Sequence, residues 1–154
     1  MFQLPDCVVR GITRLDLSGN RKLSSLPAEL ELCASSLLYL MLNDTNMTSF
    51  PLVVTSCHQL IELHMKRCNL DTFPSDEAFS MTSRAGLAES SWPQLQLLDL
   101  SCNNLKSIPY TLGNTKEHLR TLALEGNGIK WLRSSVLSKG TSAVLQFLFD
   151  KIPR

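Results

Sequence analysis

The chain has 154 residues, of which 44% are hydrophobic and 19% are charged. This length suits one domain with a continuous core. The 15 Lys and Arg residues nearly balance the 14 Asp and Glu residues, so charge gives no reason to expect binding to nucleic acid or to an anionic membrane. Because no apolar run approaches the roughly 20 residues of a membrane helix and no signal peptide is recognisable, we expect a cytoplasmic protein.

A pattern of spaced leucines recurs five times between residues 12 and 132. Its fullest form runs from Leu95 to Pro109, where the spacing is LxxLxLxxNxLxxIP. The other copies begin at Ile12, Leu37, Leu60 and Leu119. The starts are 25, 23, 35 and 24 residues apart, so the third interval carries an insertion. Repeats of this length predict a solenoid.

Residues 1–11 come before the first full repeat and look like part of a preceding one. Leu4-Pro5, followed by Val8, matches the tail half of a repeat. The pattern predicts an open apolar end, as expected for the C-terminal part of a longer repeat protein. Two alternatives are a minimal cap formed by residues 1–9 and end-to-end self-association through the uncapped N-terminus.

Within each repeat, the second and third leucines alternate as on a strand and point inward. The predicted fold class is therefore an α/β solenoid, curved and right-handed, with one short parallel strand per repeat on the concave face. The Ile-Pro or equivalent pair that ends most repeats suits an extended return segment. Our test of this fold is whether Leu40, Leu63, Leu98 and Leu122 stack in file.

One polar position follows each strand and is predicted to turn the chain. Asn20, Asn103 and Asn127 occupy it in three repeats, where their amides can bond neighbouring turns. Thr45 and Cys68 occupy this position in the other two repeats, so the hydrogen bonds between repeats are expected to be weaker there.

The five cysteines form no CxxC pair and no metal-ligand spacing. Cys33 and Cys57 fall on equivalent inward positions of adjacent return segments. A disulfide between them is conceivable, but we favour two stacked buried thiols in a reducing compartment. Cys102 is predicted to be the most exposed cysteine.

The insertion covers about residues 75–91. Ser75 and Asp76 predict the start of a short helix through Phe79 and Met81, and the Ser-, Ala- and Gly-rich stretch that follows is expected to be mobile. Trp92 comes next, on an inward position, and is predicted to lie in the core.

Residues 133–154 are predicted to form a helical cap. Thr141 is expected to be the helix N-cap, and Pro153 to stop the helix. Apolar residues at helical spacing, namely Val144, Leu145, Leu148 and Ile152, would cover the leucines of the last repeat.

The repeats resemble the intracellular class of leucine-rich-repeat proteins that carry IP or LP after the turn. The final segment, with Lys139-Gly140-Thr141 followed by Asp150-Lys151-Ile152-Pro153, is similar to the end of the family of leucine-rich repeat-containing protein 40. Trp131 and the insertion depart from that family's pattern. The resemblance implies a long intracellular solenoid without an established enzymatic activity.

The residues between the strand leucines predict a binding surface on the concave face. We expect Tyr39, Met41, His64 and Leu97 to form an amphipathic hot spot. The predicted polar rim consists of Asp16, Lys66, Arg67 and Asp99. The alternative is that the partner touches only repeats upstream of this chain.

The sequence predicts a protein-interaction scaffold rather than an enzyme. No nucleophile with a base, no metal cluster and no phosphate loop is recognisable, so no catalytic residue, metal or cofactor is assigned. Asp16 and Asp99 are not on adjacent repeats and make a poor acid–base pair. The alternative function is a regulatory or targeting arm of an enzyme whose catalytic module lies outside this chain.

Overall fold

The computed structural model describes residues 11–76 and 92–153. The partial repeat around Leu4 and Val8 and the helix predicted through Phe79 and Met81 lie outside these residues.

Five parallel strands form one sheet in the order of the chain. They are β1 (Arg14–Asp16), β2 (Tyr39–Met41), β3 (Glu62–His64), β4 (Leu97–Asp99) and β5 (Thr121–Ala123). The central residues, Leu15, Leu40, Leu63, Leu98 and Leu122, are direct partners along the sheet. The predicted file of stacked leucines is confirmed, and the chain has the fold of a leucine-rich-repeat solenoid.

Burial is deepest in the middle of the sheet. Leu40, Leu63 and Leu98 are fully buried, whereas Leu15 and Leu122, on the two outermost strands, are only partly buried. Each repeat therefore relies on its neighbours to cover its leucines, because one short strand has too little apolar surface to form a core alone.

The return segments begin with proline and continue as 3₁₀ turns. These are η1 (Ala28–Cys33), η2 (Leu52–Ser56) and η3 (Tyr110–Thr115). Pro27, Pro51 and Pro109 precede them in extended backbone. The predicted extended conformation is confirmed for the prolines. It is wrong for the residues after them, which form 3₁₀ turns with hydrogen bonds between residues three apart.

Cys33, in η1, and Cys57, directly after η2, are fully buried thiols on neighbouring return segments. Burial raises the pKa of the Cys57 thiol to about 12, and the nearby Cys33 adds to the shift. Burial also raises the pKa of Cys33. These are the two stacked thiols favoured by the sequence. Cys102 is exposed, as predicted.

The asparagines after the strands connect successive turns. Asn103 is buried, and its Nδ2 donates to the Met65 carbonyl of the preceding repeat at 2.8 Å and to the Leu100 carbonyl of its own repeat at 2.9 Å. Its Oδ1 accepts from the backbone N–H groups of Cys68 and Leu70. The predicted bonding between neighbouring repeats is confirmed for Asn103 and Asn127, whereas the Asn20 amide donates within its own repeat, to the Leu17 carbonyl.

Thr45 and Cys68 stand at the same position in the second and third repeats, and their side chains form fewer hydrogen bonds than that of Asn103. The Thr45 hydroxyl donates to the Leu42 carbonyl at 2.8 Å, and the Cys68 thiol reaches the same carbonyl at 3.0 Å. Among the described residues, neither side chain accepts from backbone N–H groups of the neighbouring repeat, as the amide oxygen of Asn103 does. The Asn43 side chain adds a link between these repeats, because its Oδ1 accepts from the Lys66 N–H.

The residue before this polar position has a left-handed backbone in all five repeats. The φ angles are 80° at Gly19, 58° at Asp44, 54° at Arg67, 55° at Cys102 and 73° at Gly126. Only glycine adopts this conformation without steric cost, so three repeats carry a small local strain.

Replacing Gly126 by alanine is therefore expected to lower the free energy of unfolding by about 1–2 kcal/mol. A Cβ there would lie 3.1 Å from the Cys102 Cα, in addition to the left-handed φ. Gly128→Ala is the matched control, since its Cβ would meet only the Leu105 carbonyl, at 3.6 Å. Urea denaturation of both variants checks the prediction, and equal stabilities would contradict it.

Two helices follow the last strand: α1 (Ser134–Leu137) and α2 (Thr141–Lys151). Val144, Leu145 and Leu148 of α2 are buried, as predicted. The helix ends at Lys151, so Ile152, which the sequence placed on the helix, is its C-cap residue and is only partly buried. The predicted role of Thr141 as N-cap is wrong, because Gly140 holds that position. The Thr141 hydroxyl instead accepts from the backbone N–H of Leu122 at 3.0 Å, so it satisfies a donor of β5.

Trp92 lies fully buried in the core, as predicted. Its Nε1 donates to the Val54 carbonyl at 3.0 Å, and its ring packs at 5.9 Å from that of Phe50 and 6.4 Å from that of Phe73. The ring thus ties the return segments of the second and third repeats together on the side opposite the strands.

Candidate functional site

The candidate site is the outward face of the sheet, hereafter the concave face. Strand register arranges its side chains in columns that run across the five strands. One column contains Arg14, Tyr39, Glu62, Leu97 and Thr121, and the other contains Asp16, Met41, His64, Asp99 and Ala123. Each strand is only three residues long, so two side chains per strand face outward and one faces the core.

The apolar part of the concave face is split by a carboxylate. Tyr39 and Met41 lie on β2, and Leu97 lies on β4; all three are partly buried. Glu62 pairs with Tyr39 on one side and Leu97 on the other. The structure therefore brings Tyr39, Met41 and His64 together, while Leu97 is two strands away from Tyr39.

Charged neighbours fix the orientation of two of these side chains. His64 Nε2 lies 2.9 Å from Glu62 Oε2 on the same strand. The Arg14 guanidinium lies 5.8 Å from the centre of the Tyr39 ring, a distance that permits a cation–π contact. These contacts restrict the side chains of Tyr39 and His64, two residues of the predicted hot spot, and such restriction lowers the entropy cost of binding.

Asp16 and Asp99 are held by the serines that follow them. Asp16 Oδ1 accepts from the Ser18 N–H at 3.0 Å, and this bond lowers the pKa of Asp16. Asp99 Oδ1 accepts from both the N–H and the hydroxyl of Ser101, at 2.9 and 2.6 Å. Both carboxylates have a defined direction.

The two basic residues of the predicted rim, Lys66 and Arg67, differ in position and in pairing. Lys66 is partly buried at the end of β3, beside the outward columns. Arg67 lies beyond the strand and forms a two-point ion pair with Asp44, through Nε at 2.7 Å and Nη2 at 3.1 Å. This pair lowers the pKa of Asp44 and raises that of Arg67. Since its charge is compensated, Arg67 is a weaker candidate for partner binding than Lys66.

The predicted hot spot and rim omit three residues that shape this surface: Asp44, Glu62 and Arg14. The repeat pattern identified Glu62 and Arg14 as outward strand positions, but the prediction gave them no part in binding. The sequence indicated the Asp44–Arg67 ion pair more weakly, because it shows only that opposite charges occupy the same position of adjacent repeats.

Asp16 and Asp99 are not placed side by side as an acid–base pair would be. Asp16 and Asp99 lie on β1 and β4, with β2 and β3 between them. Across residues 11–76 and 92–153, no three His, Cys, Asp or Glu side chains group as metal ligands would. None of the helices in the described part of the chain has the length and apolar character needed to cross a membrane.

A family model described as Leucine Rich Repeat matches residues 11–33 and 94–115. The matched segments contain β1 with η1 and β4 with η3. The chain is thus built of leucine-rich repeats, in agreement with its fold.

Two similar curated proteins come from Arabidopsis thaliana. Receptor-like protein 1 is 44% identical over 69 residues, which is 45% of this chain. Protein SUPPRESSOR OF npr1-1, CONSTITUTIVE 1 is 31% identical over 97 residues, or 62% of this chain. The match covers only 6% of the length of each relative.

Solved structures show the same fold. A leucine-rich-repeat protein of Leptospira interrogans has a TM-score of 0.64 and 26% identity, over 80% of this chain and 28% of its own. The ectodomain of the Arabidopsis thaliana receptor kinase GASSHO1/SCHENGEN3, in complex with CASPARIAN STRIP INTEGRITY FACTOR 2, has a TM-score of 0.59 and 27% identity. That match covers 75% of this chain and 13% of the receptor.

Proposed function

We propose that this chain is a non-enzymatic interaction module that receives a protein partner on its concave face. The observation that carries the proposal is the register of β2 and β3, which places Tyr39 and Met41 beside His64 on a rigid sheet. Aromatic and methionine side chains grouped on such a surface are typical of interaction hot spots. The similarity to an ectodomain solved in complex with CASPARIAN STRIP INTEGRITY FACTOR 2 supports a binding role.

Within this proposal, the module acts as a scaffold or adaptor segment in the cytoplasm. The resemblance of its final segment to the family of leucine-rich repeat-containing protein 40 supports an intracellular setting. Three buried cysteines, Cys33, Cys57 and Cys68, form no disulfide, which is consistent with a reducing compartment. Since the match covers a small part of each relative, this role is proposed for the present chain alone.

Affinity purification from cell lysate tests the proposal. The double variant Tyr39→Ala/His64→Ala is expected to recover the wild type's specific partner at a level reduced roughly ten-fold or more, because the hot spot is lost. A matched control is Leu52→Ala/Lys106→Ala, which removes two exposed side chains outside the strands. If the hot-spot variant and the control both recover that partner as well as the wild type does, the concave face is not the binding surface.

A further inference from the structure

The concave face carries a negative charge that the whole chain does not. Over the whole chain the formal net charge is +1. The outward positions of the strands and their ends hold four carboxylates, Asp16, Glu62, Asp99 and Glu125, against two permanent cations, Arg14 and Lys66. Charge is thus separated, with the negative side on the proposed binding surface. A basic partner complements this surface.

Of these carboxylates, Asp16 and Asp99 share one column of the sheet, whereas Glu125 lies beyond the end of β5. Glu62 is occupied by His64 at 2.9 Å. The backbone N–H groups of Ser18 and Ser101 bond Oδ1 of Asp16 and Asp99, and Oδ2 is the oxygen that we expect an incoming cation to reach. Both lie in the same column of the sheet, with Met41 and His64 between them.

The spacing of these carboxylates determines what kind of segment can reach both. From β1 to β4 there are three steps between strands, or about 14 Å at roughly 4.8 Å per step. An extended chain advances about 3.3 Å per residue, so two residues four positions apart span that distance. Because side chains alternate along an extended chain, the residue midway between them faces the same side, above Met41 and His64.

We infer that the concave face binds an extended segment of a partner protein that carries two basic residues four positions apart with an apolar residue midway between them. The segment crosses the strands along the solenoid axis, its basic groups on Asp16 and Asp99 and its apolar side chain on Met41. This inference rests on the proposed function, since it names the partner chemistry for the same surface.

Selection from a phage-displayed library of random twelve-residue peptides tests this on the full chain. Enriched peptides are expected to contain two Lys or Arg residues four apart around an apolar residue. Synthetic versions are expected to bind the double variant Asp16→Asn/Asp99→Asn roughly ten-fold more weakly than the wild type. The control Glu29→Gln/Asp71→Asn removes the same charge at exposed positions outside the strands and is expected to bind as the wild type does.

Circular dichroism verifies that both double variants are folded. Enriched peptides without this spacing, equal binding to the Asn variant, or no enrichment at all would each overturn the inference. The lysate experiment separates this result from the proposed function. A partner that depends on Tyr39 and His64 but not on Asp16 and Asp99 leaves the proposed function standing and removes the inference.

Discussion

Replacing Asn103 by alanine is expected to lower the free energy of unfolding by about 3–4 kcal/mol. Asn103 is only 5% exposed, and its amide serves the strands of two repeats. Without it, the buried N–H groups of Cys68 and Leu70 lose their shared acceptor, Oδ1, while the carbonyls of Met65 and Leu100 lose a donor. Because the position is buried, we expect these groups to stay without a full set of partners in the variant.

Asn20→Ala provides the matched control because it changes the same position in the first repeat. Asn20 is exposed, and its Nδ2 donates to the Leu17 carbonyl at 2.7 Å. We expect a loss below about 1 kcal/mol, since water can replace this bond. Urea denaturation of both variants measures the difference. If the free energy of unfolding falls no further for Asn103→Ala than for Asn20→Ala, the buried hydrogen bonds of Asn103 do not stabilise the solenoid.

Replacing Gly113 by alanine is expected to cost about 3 kcal/mol by forcing helix α2 away from the last repeat. Gly113 is buried in η3, where an added Cβ would lie against the backbone nitrogen of Phe149 and 2.6 Å from its Cα. These atoms belong to the backbone of α2, so no side-chain rotation can relieve the clash. The helix must move away from the last repeat, and this movement exposes part of the buried surface of Leu145 and Leu148.

Thermal unfolding with hydrogen exchange of α2 amides distinguishes this effect from a general loss of stability. Exchange is expected to accelerate in α2 more than in β2 and β3. Gly128→Ala again serves as the control, since it adds the same methyl group in ordinary contact distance. Unchanged protection in α2 would mean that the helix does not depend on the close approach at Gly113.

The resemblance between repeats explains why much of the fold was predictable. The stacking of Leu40 and Leu63 follows from their equal position in successive repeats, and the bonds of Asn103 follow from the chemistry of an amide after a strand. Trp92 was placed in the core by the same counting. These predictions required only a local pattern and its period.

The candidate site was predictable only in outline. The pattern identified the outward positions and already placed Glu62 between Tyr39 and Leu97, but the prediction grouped Leu97 with Tyr39 across that carboxylate. It also assigned Arg67 to the rim without its partner Asp44. Side-chain pairing depends on rotamers and on neighbours from another repeat, which periodicity does not contain.

By itself, the sequence determined the number of repeats, the inward leucines and the polar position after each strand, because every repeat meets the same packing requirement. The tertiary structure alone decided the features that occur once. Thr141 bonds β5 rather than capping its helix, and Gly113 is needed only because α2 crosses its backbone there. The physical reason is that these contacts join segments that are distant in the sequence and are not repeated elsewhere in it.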